Sequence, residues 1–167
     1  DFAKYRYPSA LELSPDGRYL TFALKEVDRE GDGYRWNLWL YDLESRESRQ
    51  ITQGDDQRQA VWEDNTHILY KTTELDEVMQ ARGFEEEWTV YHRLNVCTGE
   101  ECEAFRLPMS VSGLWKMDEG RYVFTGETHL DRPNLLELTG EALEKELVRR
   151  QQTKGYKVLT ELPLCEN

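Results

Sequence analysis

The sequence predicts an all-β chain with inserted helices, folded as part of a β-propeller of about three antiparallel blades with four strands each. Three observations predict it. A Pro-Asp-Gly turn opens a strand in Ser14-Pro15-Asp16-Gly17-Arg18-Tyr19-Leu20-Thr21-Phe22. A polar-turned meander follows it. Both then return at intervals of about 50 residues, the length of four-stranded blade repeats.

In the first repeat, Pro15 and Asp16-Gly17 set a tight turn, because glycine supplies the positive φ that a short hairpin needs. The alternating Tyr19 to Phe22 reads as a strand, and Leu38 to Leu43 alternates again before a polar turn at Asp42-Leu43-Glu44-Ser45. Arg49-Gln50-Ile51-Thr52 closes the unit as a third short strand. The second repeat has its turn at Asp64-Asn65, a strand through Ile68 and Tyr70, a strand from Trp88 to Val96, and a Thr98-Gly99-Glu100 turn. A third copy starts at Asp118-Glu119-Gly120-Arg121-Tyr122-Val123-Phe124, so Leu20, Ile68 and Val123 fall in register. Expected boundaries are about 8–53, 58–108 and 111–164. Such repeats bury their apolar faces on their neighbours, as WD40-like and TolB-like propellers do. A generic β meander is the plainer alternative.

Two insertions interrupt the blades. Leu75, Val78, Met79 and Arg82 recur at helical spacing before Gly83, a natural helix stop, and predict a short amphipathic helix over 74–82. Residues 135–152 predict a longer helix, with leucines at i, i+4 and glutamates preceding Arg149 and Arg150 at its basic end. Inserted helices sit on the rim or faces of a blade stack, either as covers for a partner or as solvated decoration.

Composition excludes several classes. A net charge of −12 and a pI near 4.8 argue against a nucleic-acid groove or an anionic membrane surface, both of which need clustered Lys and Arg. No apolar run approaches the roughly 18 residues of a membrane span, and the first residues lack a signal-peptide layout, so a cytoplasmic location is expected. Because the chain starts without Met, it reads as a cut or processed piece. Five Trp and nine Tyr suit pleated, half-buried surfaces, with Trp36 and Trp39 expected to pack between blades and Trp36 and Trp115 the candidates for exposed binding aromatics.

Three cysteines cannot pair evenly. Cys97 and Cys102 flank a turn where strand ends could bring thiols together, Cys165 stands apart, and reduced thiols are the plain reading. His67, His92 and His129 show no metal spacing, and His92 reads as a strand-face residue. No Asp-x-Asp-x-Asp-Gly calcium loop is present, and no cofactor is expected.

The Ser14 to Phe22 stretch, the Asn37-Leu38-Trp39-Leu40-Tyr41-Asp42-Leu43 strand and the Arg49 to Thr52 ending resemble the N-terminal propeller of prolyl oligopeptidase family serine peptidases, in the acylaminoacyl-peptidase or dipeptidyl-peptidase manner. The charged helix running into Gly155-Tyr156-Lys157-Val158-Leu159-Thr160-Glu161-Leu162-Pro163-Leu164 extends the likeness over nearly the whole chain. The resemblance implies a gating propeller over a separate C-terminal α/β-hydrolase domain that holds the catalytic triad and acts on peptides. This chain contains no G-x-S-x-G elbow, and Ser112, in the nearest serine context, is expected to be a turn residue, so no catalytic residue carries over.

The resemblance also directs attention to Glu85-Glu86-Glu87. Paired glutamates in dipeptidyl peptidases hold a substrate's free amino terminus, and Glu85 and Glu86 are the candidate substrate-binding residues here, since adjacent carboxylates suit an ammonium group. A solvated acidic edge that discourages strand pairing is the alternative. The other function class is a TolB-like or WD40-like protein-binding module without activity. In either case the open edges of an incomplete propeller are expected to promote self-association.

Overall fold

Strands in this chain pair in sequence order, because each polar turn returns the backbone beside the strand it has just left. A computed structural model describes residues 6–28, 33–54, 56–118, 120–127 and 132–153. The chain divides into two compact units, Asp1–Thr128 and His129–Asn167. In the first unit β1 (Tyr7–Leu13), β2 (Tyr19–Asp28), β3 (Gly33–Asp42) and β4 (Glu47–Gln50) form one antiparallel sheet. A second contains β5 (Ala60–Trp62), β6 (His67–Leu75), β7 (Glu87–Asn95) and β8 (Glu101–Leu107), and a third pairs β9 (Ser110–Lys116) with β10 (Tyr122–Glu127). Each meander is a propeller blade and the array is not closed. The third blade has two strands among the described residues rather than four.

The turns that start each repeat reach similar shapes by different chemistry. Gly17 and Gly120 both adopt φ +74°, the left-handed conformation in which a Cβ would be strained. Around Gly17, Ser14 Oγ donates to Asp16 Oδ1 at 2.6 Å and accepts from the Tyr19 N–H at 2.9 Å, so the turn closes through side chains as well as backbone. The turn that starts the second blade has no glycine. Asp64 instead accepts from the N–H groups of Thr66 and His67, both at 2.8 Å, building the turn from one carboxylate.

Apolar burial sits between the first two sheets. Ala23, Leu38 and Leu40 from one and Ala60, Trp62, Ile68, Tyr70, Leu94 and Val96 from the other form one core cluster, with Tyr19 stacked on Trp62 at 6.5 Å. Strand alternation turns Phe22 and Trp39 to the opposite face of the first sheet, where their rings stack at 6.5 Å. The expectation that Trp39 packs between blades is therefore corrected with respect to this pair of sheets; Trp62 holds that place. A second cluster, Leu69, Tyr91, Val111 and Leu114, joins the second and third sheets.

Ser112 is also corrected. It lies inside β9, not in a turn, and its hydroxyl is 2.9 Å from Thr125 Oγ1 on the neighbouring strand. Cys97 and Cys102 are exposed free thiols. His129, Cys165 and the stretch 155–164 lie outside the described residues.

In the second unit, a short 3-10 turn, Leu135–Glu137, precedes the helix Gly140–Thr153. Asn134 caps the turn by accepting from the Leu136 N–H at 2.9 Å. Leu135 and Leu147 are buried, and Glu146 pairs with Arg149 at 2.6 Å and Arg150 at 3.1 Å, one helical turn away. These two guanidiniums, Arg149 foremost, outweigh the cost of burial and hold the Glu146 carboxyl at about 2.

Burial raises the Asp64 pKa, but the Thr66 and His67 hydrogen bonds outweigh it and hold the group at about 2, below the roughly 3.9 of an unfolded chain. A depressed folded-state value means stability that is present above the unfolded pKa and lost as pH falls toward the folded one. The gap in melting temperature between wild type and Asp64→Asn is expected to close between pH 5 and pH 2. A gap that stays constant over that range in thermal melts would overturn the assignment.

Candidate functional site

Alternate hairpins of a meander end on the same side of the blade stack, and here that side gathers the chemically distinctive residues. The chain leaving the first sheet passes beside β3, where Asp56 bridges Trp36 in parallel and the Gln57 N–H donates to the Trp36 carbonyl at 3.0 Å. From this end β5 runs away and β6 runs back. The β6–β7 connection, Asp76 to Glu86, therefore returns to the end that carries the β2–β3 tip. β9 starts there too, for Thr89 Oγ1 donates to the Met109 carbonyl at 2.7 Å and accepts from the Val111 N–H at 3.1 Å.

On the first hairpin, cross-strand register sets Lys25 opposite Trp36 and Val27 opposite Tyr34. The Lys25 ammonium lies 3.8 Å from the Tyr34 ring centre and 5.1 Å from that of Trp36, while the Arg58 guanidinium covers Trp36 at 4.0 Å. Arg58 is steadied by Asp56 at 2.5 Å. Trp36 thus stands at the hairpin face between two cations. Close by, Lys71 reaches across to the Val111 carbonyl, and burial pushes its ammonium pKa down.

The second hairpin is built on Asp76. Its Oδ1 accepts from the Met79 N–H and its Oδ2 from Trp88 Nε1, both at 2.9 Å, and its own N–H donates to the Glu86 carbonyl at 2.8 Å. The Trp88 hydrogen bond, followed by that of Met79, lowers the Asp76 pKa. This cap starts helix α1 (Glu77–Ala81), which is shorter than expected because Leu75 still belongs to β6. Met79 is the buried anchor of the helix, whereas Leu75 and Val78 are exposed. Gly83 ends the turn at φ +81°.

Glu85 and Glu86 follow in the loop into β7. Glu85 is exposed and Glu86 half-buried, while Glu87 is the first residue of β7 and pairs with Leu75. The structure sets these carboxylates and the Trp36 group on the same side of the stack. Lys25, Tyr34, Arg58, Asp76 and Trp88 escaped sequence reasoning. The x-Asp-x-x-Met spacing at Asp76 was a readable cap signal, but the Lys25–Trp36 pair depends on hairpin register across the 29–32 connection.

Trp115 is 49% exposed, as a candidate binding aromatic should be. His92 lies within β7, its Nε2 2.9 Å from Thr72 Oγ1 and its Nδ1 3.4 Å from Glu101. Among the described residues no group of three or more His, Cys, Asp or Glu is placed to hold a metal. No helix among them is long and apolar enough to cross a membrane.

Asp76→Ala removes the α1 cap and the Trp88 acceptor together. It should cost about 1–2 kcal/mol and speed amide exchange over 77–86. Exchange in that segment equal to wild type would show that the loop is held by other contacts.

No protein-family model matches the sequence, and no curated protein matches it. Solved structures do. The β-propeller domain of the Trilobed protease from Pyrococcus furiosus, described as having an open velcro topology, is 13% identical over 74% of this chain and 35% of its own, with a TM-score of 0.53. The acylaminoacyl peptidase of Pyrococcus horikoshii is 14% identical over 75% of this chain and 18% of its own, with a TM-score of 0.55. The chain spans about a third of the first structure and less than a fifth of the second. At these identities the likeness is one of fold, and by fold this chain is a run of β-propeller blades similar to those two structures.

Proposed function

We propose that the chain is the non-catalytic propeller portion of a serine peptidase, which gates and positions peptides for a separate α/β-hydrolase domain. The observation that carries this reading is the fold likeness to a protease propeller and to an acylaminoacyl peptidase. It joins the resemblance carried by Ser14 to Phe22 and Asn37 to Leu43. The hairpin side of the stack supplies the chemistry. Carboxylates at Glu85 and Glu86 suit a peptide's ammonium end, and charge-assisted hydrogen bonds of this kind are roughly twice as strong as neutral ones. A chamber that sheds water strengthens them further.

A protein-binding propeller without activity is the second reading, favoured by the cation-flanked Trp36 and by Tyr34, which is 56% exposed. Exposed Leu11 and Leu13 on β1 and Trp115 on β9 are the surfaces through which copies of this chain would associate. A monodisperse monomer in light scattering rejects that association.

The coding sequence beyond Asn167 separates the two readings. A continuation into a G-x-S-x-G elbow with later Asp and His supports the peptidase, and a continuation without them supports the binding module. In the full-length enzyme, Glu85→Gln and Glu86→Gln are expected to raise KM about tenfold for peptides with a free amino terminus. Acylated peptides should be unaffected. Unchanged kinetics on both substrates would remove these residues from the site.

A further inference from the structure

A cavity of about 320 Å³ opens between the first two sheets, beside the β7–β8 turn. One wall is the end of β4 and the segment after it, and the other is the outer part of the second sheet. Its apolar lining comes from Ile51, Leu94 and Val96, the last two buried. Arg49, from β4, and Glu101, from β8, both line it. Volumes near 300 Å³ lie at the small end of ligand pockets.

Two features set this cavity apart from a packing gap. Arg49 is fixed by donating to the Val96 carbonyl, yet among the described residues no ion pair joins it to a carboxylate, in a chain with 33 acidic and 21 basic residues. Glu101 is braced from behind. His92 Nδ1 lies 3.4 Å from it, the His92 ring stacks on Tyr70 at 5.3 Å, and Thr72 Oγ1 holds the far ring nitrogen at 2.9 Å. Burial first, and then the neighbouring Glu101 carboxylate, raise the Tyr70 pKa. The Glu101 side chain still keeps 43% of its surface open. The cavity thus presents a positioned cation and a positioned anion beside the partly exposed Ile51.

We propose that this cavity binds a small zwitterion, an α-amino acid or dipeptide with an apolar side chain. Its carboxylate meets Arg49, its ammonium meets Glu101, and its side chain packs on Ile51. A simple anion would face Glu101, and a simple cation would face Arg49. A ligand carrying both charges leaves neither wall group opposed by its like. The site stands on the cavity alone, independent of the peptidase reading.

Isothermal titration of the 167-residue chain tests it with L-leucine and leucylglycine, each set beside analogues that lack one charge. Saturable binding is expected for at least one of the two zwitterions. Leucinamide, which has no carboxylate, and N-acetyl-leucine, which has no ammonium, are expected to bind about tenfold more weakly than leucine, as the loss of one charged hydrogen bond requires. Arg49→Gln should erase the preference over leucinamide, and Glu101→Gln that over N-acetyl-leucine. Absence of saturable heat for both zwitterions at tens of millimolar, or equal affinity for leucine and its two analogues, would overturn the proposal. The comparison among ligands uses the wild-type chain, so a poorly folding variant leaves it intact.

Discussion

The array depends on one constraint: a four-stranded sheet of this kind is apolar on a face it cannot bury by itself. Leu38 and Ile68 are wholly buried because the first two sheets meet face to face, and Ala23 and Ala60, also fully buried, keep the facing side chains small where the sheets approach. Burial of a side chain such as leucine is worth about 1.5–3 kcal/mol. The same surface left open would be a liability, and the half-buried Phe22–Trp39 pair shows that the other face of the first sheet is apolar as well.

Polar groups then fix the register that apolar packing leaves loose. Trp62 Nε1 donates to the Glu12 carbonyl at 3.2 Å, tying the second sheet to the innermost strand of the first. Glu63 serves both of its neighbours, accepting from Arg93 Nη2 at 2.8 Å and from the Tyr122 hydroxyl at 2.6 Å, while its carbonyl takes Lys116. The Arg93 hydrogen bond chiefly lowers the Glu63 pKa, so the carboxylate stays charged where the second and third sheets meet. A bulge between Ser9 and Glu12, with Ala10 at φ +49°, bends β1 at the inner edge of the first sheet.

How much of this was legible varies with the range of the interaction. Pro15-Asp16-Gly17 and Gly120 announced their turns, since glycine at positive φ is a local requirement, and the alternation of Tyr19 to Phe22 and Leu38 to Leu43 announced strands. Asp64 built an equivalent turn through its side chain, so Asn65 needed no left-handed backbone. The 74–82 helix was visible in outline but misjudged at its start. Leu75 fits both periodicities, and pairing with Glu87 across the hairpin decided for the strand. Trp39 was misplaced because alternation tells which residues share a face without telling which face meets the next sheet.

The candidate site shows the same division. Glu85 and Glu86 were readable as an acidic pair, yet Lys25, Arg58 and Asp76 each also engage a tryptophan, Trp36 or Trp88, eleven or more positions away. Sequence by itself determined the repeat, the turns and the alternation of strands, because each is dictated by backbone conformations a few residues long. The tertiary structure decided which sheet face is buried, which cations flank Trp36, and that Arg49 and Glu101 share one cavity. Those outcomes rest on sheets from different repeats packing at van der Waals distance, and no local pattern encodes that separation.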